Sequence, residues 1–440
     1  MLNQNGVLNL IFASVKQILM DIPLALHSRM RMVLRRSAKL PLFALNALWV
    51  IPLLLLFRII RPWLHVRMGI LESSRIGHFV ADPSIFLARR ALQSRDEHTF
   101  DLLFLPEPSC NKQWARMVRQ HLVVHPCVRY LERFNRYIPG AAFHNLPLAS
   151  LTGNYAVYSP LQSTSVRLAF ASGDEIVAKA WLRRRGWQEG EPFVCLAIRD
   201  SAYLSSHPTL NVVASADRWS YHDYRDSDID TCVEAVQALV EMNYWVIRMG
   251  KVSHKPLSYR HNKVIDYPFV EDQDDLMDIW LSANCHMFIS TSTGIDTIAL
   301  IYGRPIVFIN ALPFVGCVPP FNNNVLCHLW VPKHLSWKHN GSPLKLKEYC
   351  QHNYQGSLEY EHAGVAIEDL SSTEITSAVM ECERRVAGAW VETDEDRDRQ
   401  RRFWDVMRND PGFNSTHDGV HPDQRIGSAW LKSMGGSFLE

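Results

Sequence analysis

Three short stretches of the chain combine residue types that could hold a phosphate. Ser290-Thr291-Ser292-Thr293-Gly294 places four hydroxyls and a glycine between an apolar run, Met287 to Ile289, and a helical segment expected over Ile295 to Tyr302. A turn there would offer unpaired backbone N–H groups and the positive end of a helix dipole, a natural seat for an anion. An ordinary capped loop between strand and helix would be spelled the same way. Arg199 follows the apolar run FVCLAI (193–198), and Arg248, with Met249 and Gly250 behind it, follows YWVI (244–247). A guanidinium presents a planar fork that fits a phosphate bidentately. Arg199, Arg248 and the 290–294 turn could together clamp a diphosphate, whereas pairing with neighbours such as Asp200 or Asp266 would make each arginine merely structural. His78 has the proton affinity of a general base near neutral pH, and it could equally be a loop histidine without chemistry.

Other chemistries are excluded by spelling. There is no G-x-x-x-x-G-K-[ST] phosphate loop, no G-x-G-x-x-G after a first strand and no G-x-S-x-G elbow. The nine cysteines are scattered singly without a C-x-x-C pair, and the nineteen histidines form no H-E-x-x-H or H-x-H cluster, so no metal centre is expected. The cysteine usage fits a reduced, cytoplasmic compartment. A net charge of +1 gives no global field for nucleic acid.

Short apolar runs alternating with amphipathic segments imply an α/β protein with parallel strands and helices on their faces. In the first half, His65 to Leu71 and Asp101 to Leu105 read as strands. Ser73 to Phe79 reads as a loop, and Asp82 as the N-cap of a helix with Pro83 at its first position. In the second half, strands over 193–198, 244–247, 264–267 and 287–289 bring Arg199, Arg248 and the turn to one carboxyl edge. Ser227 and Asp230 suggest a capping box for a helix over Ile229 to Met242, and Asp274 or Asp275 a cap for Leu276 to Ala283. Ser371 to Glu374 should open a further helix, and Asp396 to Met407 should form a charged helix docked along the edge bearing Phe403 and Trp404.

Leu40 to Phe57 is apolar apart from Asn46, near the lower length limit for a membrane span. Basic residues flank it on both sides: Arg29, Arg31, Arg35, Arg36 and Lys39 before, Arg58, Arg61 and Arg67 after. This symmetric flank fits a helix lying in or dipping into an anionic leaflet. A true span and a buried core helix are the other two arrangements.

The pieces RIGHF (75–79), AIRDSAY (197–203), YRDSDID (224–230), VIRMG (246–250), IDY–DLMDIWLSAN (265–284), FISTSTG (288–294), RPIVFIN (304–310), VPKHL (331–335) and RIGSAWL (425–431) together resemble a family of bacterial surface-polysaccharide glycosyltransferases of the two-Rossmann, GT-B type. The layout also looks like GDP-fucose-type transferases, although the doubled arginine of that motif is Arg199-Asp200 here. The resemblance runs from about Val66 to the carboxyl end. It implies two Rossmann-like domains facing a cleft: an acceptor domain over 65–172 and a nucleotide-sugar donor domain over 173–365, after a membrane-associating segment over 1–64. Helices over 366–440 would pack back on the body. It further implies transfer of a sugar from a nucleotide-sugar to a hydroxyl of a glycan or lipid-linked glycan at the inner face of the cytoplasmic membrane. Arg199, Arg248, Gly250 and Ser290 to Gly294 would hold the donor, and His78, Asp82 or Asp200 would take the acceptor proton. Asp226-x-Asp228 and Asp228-x-Asp230 match a metal-binding D-x-D only by spelling. At a helix start they read as caps, so no metal or other cofactor is expected. A non-catalytic membrane-associated nucleotide-sugar-binding scaffold and a two-Rossmann sugar-nucleotide epimerase are the alternatives.

Overall fold

The computed structural model describes residues 40–92, 98–146, 148, 159–203, 223–317, 328–417 and 424–440. The basic residues from Arg29 to Lys39 lie outside them. In chain order the elements are α1 (Leu40–Ile60), β1 (His65–Ile70), α2 (Ile76–Leu92), β2 (Thr99–Phe104), α3 (Lys112–His121), α4 (Val128–Asn135), α5 (Ser172–Arg183) and β3 (Phe193–Ala197). They continue with α6 (Val233–Glu241), β4 (Trp245–Arg248), β5 (Val264–Asp266), α7 (Asp275–Asn284), β6 (Met287–Ser290), α8 (Asp296–Ile301), β7 (Ile306–Ala311) and β8 (His328–Pro332). The chain closes with β9 (His334–Trp337), β10 (Val365–Glu368), α9 (Ser372–Val386), α10 (Asp394–Arg408), β11 (Gln424–Ile426) and α11 (Ser428–Ser433), with further short helices between.

The fold is α/β, and the described residues gather into two units. The larger comprises residues 70–97, 103–125 and 147–440. Its centre is a seven-stranded sheet in the order β11-β8-β7-β6-β3-β4-β5. Every pairing in it is parallel. Strands β3, β4, β6, β7 and β8 are buried along their whole length, as near-continuous apolar runs must be when helices cover both faces. The chain runs outward from β3 through β4 to β5, then returns to β6 on the other side of β3. The carboxyl ends of β3 and β6 therefore flank the place where the strand order reverses, the usual ligand crevice of an open parallel sheet.

Local chemistry sets the element ends. Asp274 caps α7 by accepting from Leu276 N, and Ser371 with Glu374 forms the capping box that opens α9. The expected box of Ser227 with Asp230 is not formed. Asp228 is the cap, accepting from Asp230 N, and the first turn over Ile229–Cys232 is a 3-10 helix before α6 begins. In α10, Phe403, Trp404 and Met407 are buried while Arg397 and Arg401 pair with carboxylates three residues earlier.

The largest correction concerns α2. It begins at Ile76 inside the expected loop, so Asp82 and Pro83 lie in its interior, and Asp82 is a buried residue rather than a cap. Proline has no N–H to give to the carbonyl four residues earlier. That carbonyl belongs to Phe79, and the Trp114 indole Nε1 donates to it instead at 2.8 Å. A buried orphan acceptor is thus satisfied from α3.

The smaller unit comprises residues up to 69, 98–102 and 126–146. In it β1 pairs with β2, and Arg67 bridges to Asp101 at 2.7 Å. The apolar segment is a 21-residue helix, α1. It is long and apolar enough to cross a membrane, and 22% of its most apolar window is buried.

Candidate functional site

The carboxyl edge of the large sheet is built by register. Leu196 lies beside Arg248, Ala197 beside Ser290, and Arg248 beside Asp266, so strands β3, β4, β5 and β6 end together. A cavity of about 330 Å³ opens there, lined by residues 75–77, Cys110, 197–200, Tyr203, Arg225, 249–253, Asp278 and 293–295. That is the low end of the size range for small-molecule sites.

Of the candidate donor residues, the structure brings Arg199, Gly250, Thr293 and Gly294 to the cavity wall. Ser290 and Thr291 are buried and act as scaffolding. Ser290 Oγ donates to Asp296 Oδ2 at 2.7 Å and accepts from Thr293 N at 3.2 Å. Thr291 Oγ1 accepts from Arg199 N at 2.8 Å, which fixes the backbone that carries Arg199. Ser292 adopts a left-handed φ of 59° and gives its carbonyl to Arg225. The hydroxyls that looked convergent in sequence are therefore spent mostly on holding the turn's shape.

Arg248 is not in the wall. It is 2% exposed, and Nη1 donates to Lys255 O at 2.7 Å and to Asp266 Oδ1 at 3.3 Å. Asp200 Oδ2 lies 3.9 Å from Nη2. Among the candidate bases, Asp200 lines the cavity, accepting from Ala202 N and His254 N. His78 is the third residue of α2 and Asp82 lies deeper in that helix; neither is in the wall.

Among the described residues, four basic side chains line the cavity, Arg75, Arg199, Arg225 and Lys251, against the acidic Asp200 and Asp278. Arg199 Nε bonds Asp226 Oδ1 at 3.2 Å. Burial, then the neighbouring Arg225 charge, lowers the Arg199 guanidinium from its ordinary value, and burial raises the Asp226 carboxyl against the pull of Arg199. Both shifts run toward the neutral forms, so burial costs this pair more than its attraction returns. Arg225 donates from Nη2 to Ser292 O at 2.6 Å, and among the described residues its buried Nε has no partner and the side chain has no ion pair. Lys251 is different. Burial opposes its charge, but Asp278 and Asp275 outweigh that and raise it, with Nζ 2.6 Å from Asp275 Oδ1 and 3.4 Å from Asp278 Oδ2. Burial pushes the Asp278 carboxyl up to about 6 against the opposing Lys251 charge. Burial likewise pushes the Tyr203 hydroxyl and the Cys110 thiol up to about 12, so both stay protonated at neutral pH.

Two glycines set the cavity's floor. A Cβ on Gly77 would lie 3.3 Å from Gly294 Cα, and one on Gly294 would lie 3.1 Å from Gly77 N. The start of α2 and the turn after β6 thus meet backbone to backbone, which places Arg75 beside the turn. Arg75, Tyr203, Arg225, Lys251 and Asp278 were missed as individuals. All but Lys251 lie within the motifs RIGHF, AIRDSAY, YRDSDID and DLMDIWLSAN, and Lys251 directly follows VIRMG. Their shared position at strand or helix ends was the available signal.

No family model and no curated protein matches the chain. Among solved structures, it is similar to the glycosyl transferase family 9 from Veillonella parvula DSM 2008, with 10% identity and a TM-score of 0.34 over 56% of this chain and 80% of that one. It is also similar to the E. coli ADP-heptose lps heptosyltransferase II, with 11% identity and a TM-score of 0.35 over 59% and 89%. A UDP-N-acetylglucosamine 2-epimerase structure from Listeria monocytogenes aligns at 8% identity and a TM-score of 0.28 over 56% and 79%.

Proposed function

We propose that this protein is a glycosyltransferase that moves a sugar from a nucleotide-sugar donor to a hydroxyl of a surface glycan, including a lipid-linked one. The observation that carries the reading is the pairing of Arg199 with Arg225 at the point where the strand order reverses. One guanidinium has an ion pair that burial makes costly, and the other has none among the described residues. A diphosphate would bring negative charge and further acceptor oxygens to both.

On this reading Arg199, Arg225 and Arg75 hold the donor diphosphate, with Thr293, Gly294 and Gly250 shaping the wall. As the bond between sugar and phosphate breaks, charge grows on the leaving diphosphate. Fixed guanidinium groups in a partly dry cavity stabilise it without reorganisation. The diphosphate is neutralised by arginine rather than by a metal ion or other cofactor. Asp200 is the candidate base within the wall, and Asp278, which ionises only around 6, is the second carboxylate within reach of the cavity. Reaction takes place on the cytoplasmic side of the membrane, with the apolar helix α1 attaching the chain to its inner face.

Calorimetric titration of the full chain with UDP-, GDP-, CMP-, dTDP- and ADP-sugars tests this. One nucleotide class should bind, and at 100-fold excess over its Kd it should stabilise the fold by about 2.7 kcal/mol. Absence of binding across the panel refutes the donor site.

A further inference from the structure

We infer that α1 lies in the plane of an anionic membrane surface, seated on α4, and does not cross the bilayer. This deepens the membrane attachment proposed above and is independent of the donor site. The helix has two apolar faces. Val50, Leu54 and Phe57 are buried on one, beside the polar Asn46. Leu45, Leu48, Leu55, Leu56 and Ile59 are 62%, 74%, 46%, 47% and 68% exposed, at spacings that place them on one open stripe.

The inner face is tied to a charged helix. Phe43 stacks on Phe134 with ring centroids 4.4 Å apart, and Trp49 meets Tyr130 edge-on at 6.2 Å. Arg58 donates to Asn135 Oδ1 at 2.8 Å and to the Ile138 and Pro139 carbonyls at 3.2 and 2.8 Å. These contacts hold α1 from Phe43 to Arg58, most of its length. Alongside that length α4 carries Arg129, Glu132 and Arg133, with Arg136 just beyond. A spanning α1 would drag these charges and Arg58 into hydrocarbon, where each is costly. An in-plane α1 sinks only its open stripe into the acyl boundary and leaves α4 on the wet side.

Charge names the surface. The described part of this unit holds Arg58, Arg61, Arg67, Arg129, Arg133 and Arg136 against only Asp101 and Glu132. Arg67 pairs with Asp101 and Arg136 with Glu132, leaving four arginines without a carboxylate partner among the described residues. Trp49, Trp63 and Tyr137 are exposed, the residue types that settle at headgroup depth. An anionic headgroup layer complements this pattern.

Flotation of the full chain with vesicles of phosphatidylcholine, with or without phosphatidylglycerol, tests the surface. Binding should be about tenfold or more tighter with the anionic lipid, and the double variant Leu48→Glu/Leu56→Glu should lose it while melting at the wild-type temperature. In sealed inside-out membranes from expressing cells, a tag at Met1 and the body after Ile60 should both be digested from the cytoplasmic face. Protection of the tag alone means a span and overturns the in-plane arrangement while sparing attachment. No binding to either vesicle overturns both. If the double variant keeps its vesicle binding and instead turns a dimer into a monomer, the stripe is a contact between copies and the inference fails.

Discussion

Arg199 and Arg248 look interchangeable in sequence, each ending an apolar strand at the same edge, yet they have opposite fates. Arg248 is sealed in by Lys255 O, Asp266 and Asp200, and braces the loop that follows β4. Arg199 sits two residues past its strand, shares the cavity wall with Arg225, and holds a single carboxylate at 3.2 Å. Strand-end position is set by the sheet, but direction is set by how soon the chain turns. Arg248 is still the last residue of β4, so its side chain stays with the sheet, whereas Arg199 belongs to the turn.

The contrast is open to attack, beginning with its strongest consequence. Arg248→Ala leaves Asp266 and Asp200 without their buried partner and should cost about 3 kcal/mol of unfolding free energy, read as a lower urea midpoint. An unchanged midpoint with lost nucleotide affinity would reverse the roles assigned to the two arginines. Arg225→Ala should do the opposite, weakening nucleotide-diphosphate binding by about 1.5–3 kcal/mol, the range of charged hydrogen bonds, with little change in urea midpoint. Calorimetry and urea titration on the same sample separate the two outcomes.

The smallest effect tests the carboxylate on the far wall. The folded-state pKa of Asp278 is raised to about 6 by burial. The folded chain therefore holds a proton that the unfolded chain has released, and this residue's contribution to stability falls as pH rises through about 6. Asp278→Asn removes that dependence. Its stability relative to wild type should improve by about 1 kcal/mol between about pH 5 and pH 7, measured by urea unfolding at each pH. A flat difference means that Lys251 already holds the carboxylate in its ordinary range.

Much of the architecture was legible because it follows from periodicity. The runs 193–198, 244–247 and 287–289 could only be buried parallel strands, and their ends had to share an edge. What stayed hidden depends on contacts distant in sequence. Arg225 reaches the cavity because Ser292 O, 67 residues on, receives it. Ser290 and Thr291 looked like ligands because their hydroxyls had no visible partner, but Asp296 and the backbone of Arg199 claim them. Asp82-Pro83 has the spelling of a helix start, and only Trp114 explains why the helix runs through it.

That indole has a further consequence. With Pro83 in its interior, α2 cannot complete its own ladder of hydrogen bonds, and the missing donor comes from a segment 35 residues beyond Phe79. The helix that carries Gly77, and that Arg75 directly precedes, is therefore cooperative with α3 rather than autonomous. Its stability is a property of their docking, and a chain that loses α3 loses one shoulder of the cavity as well.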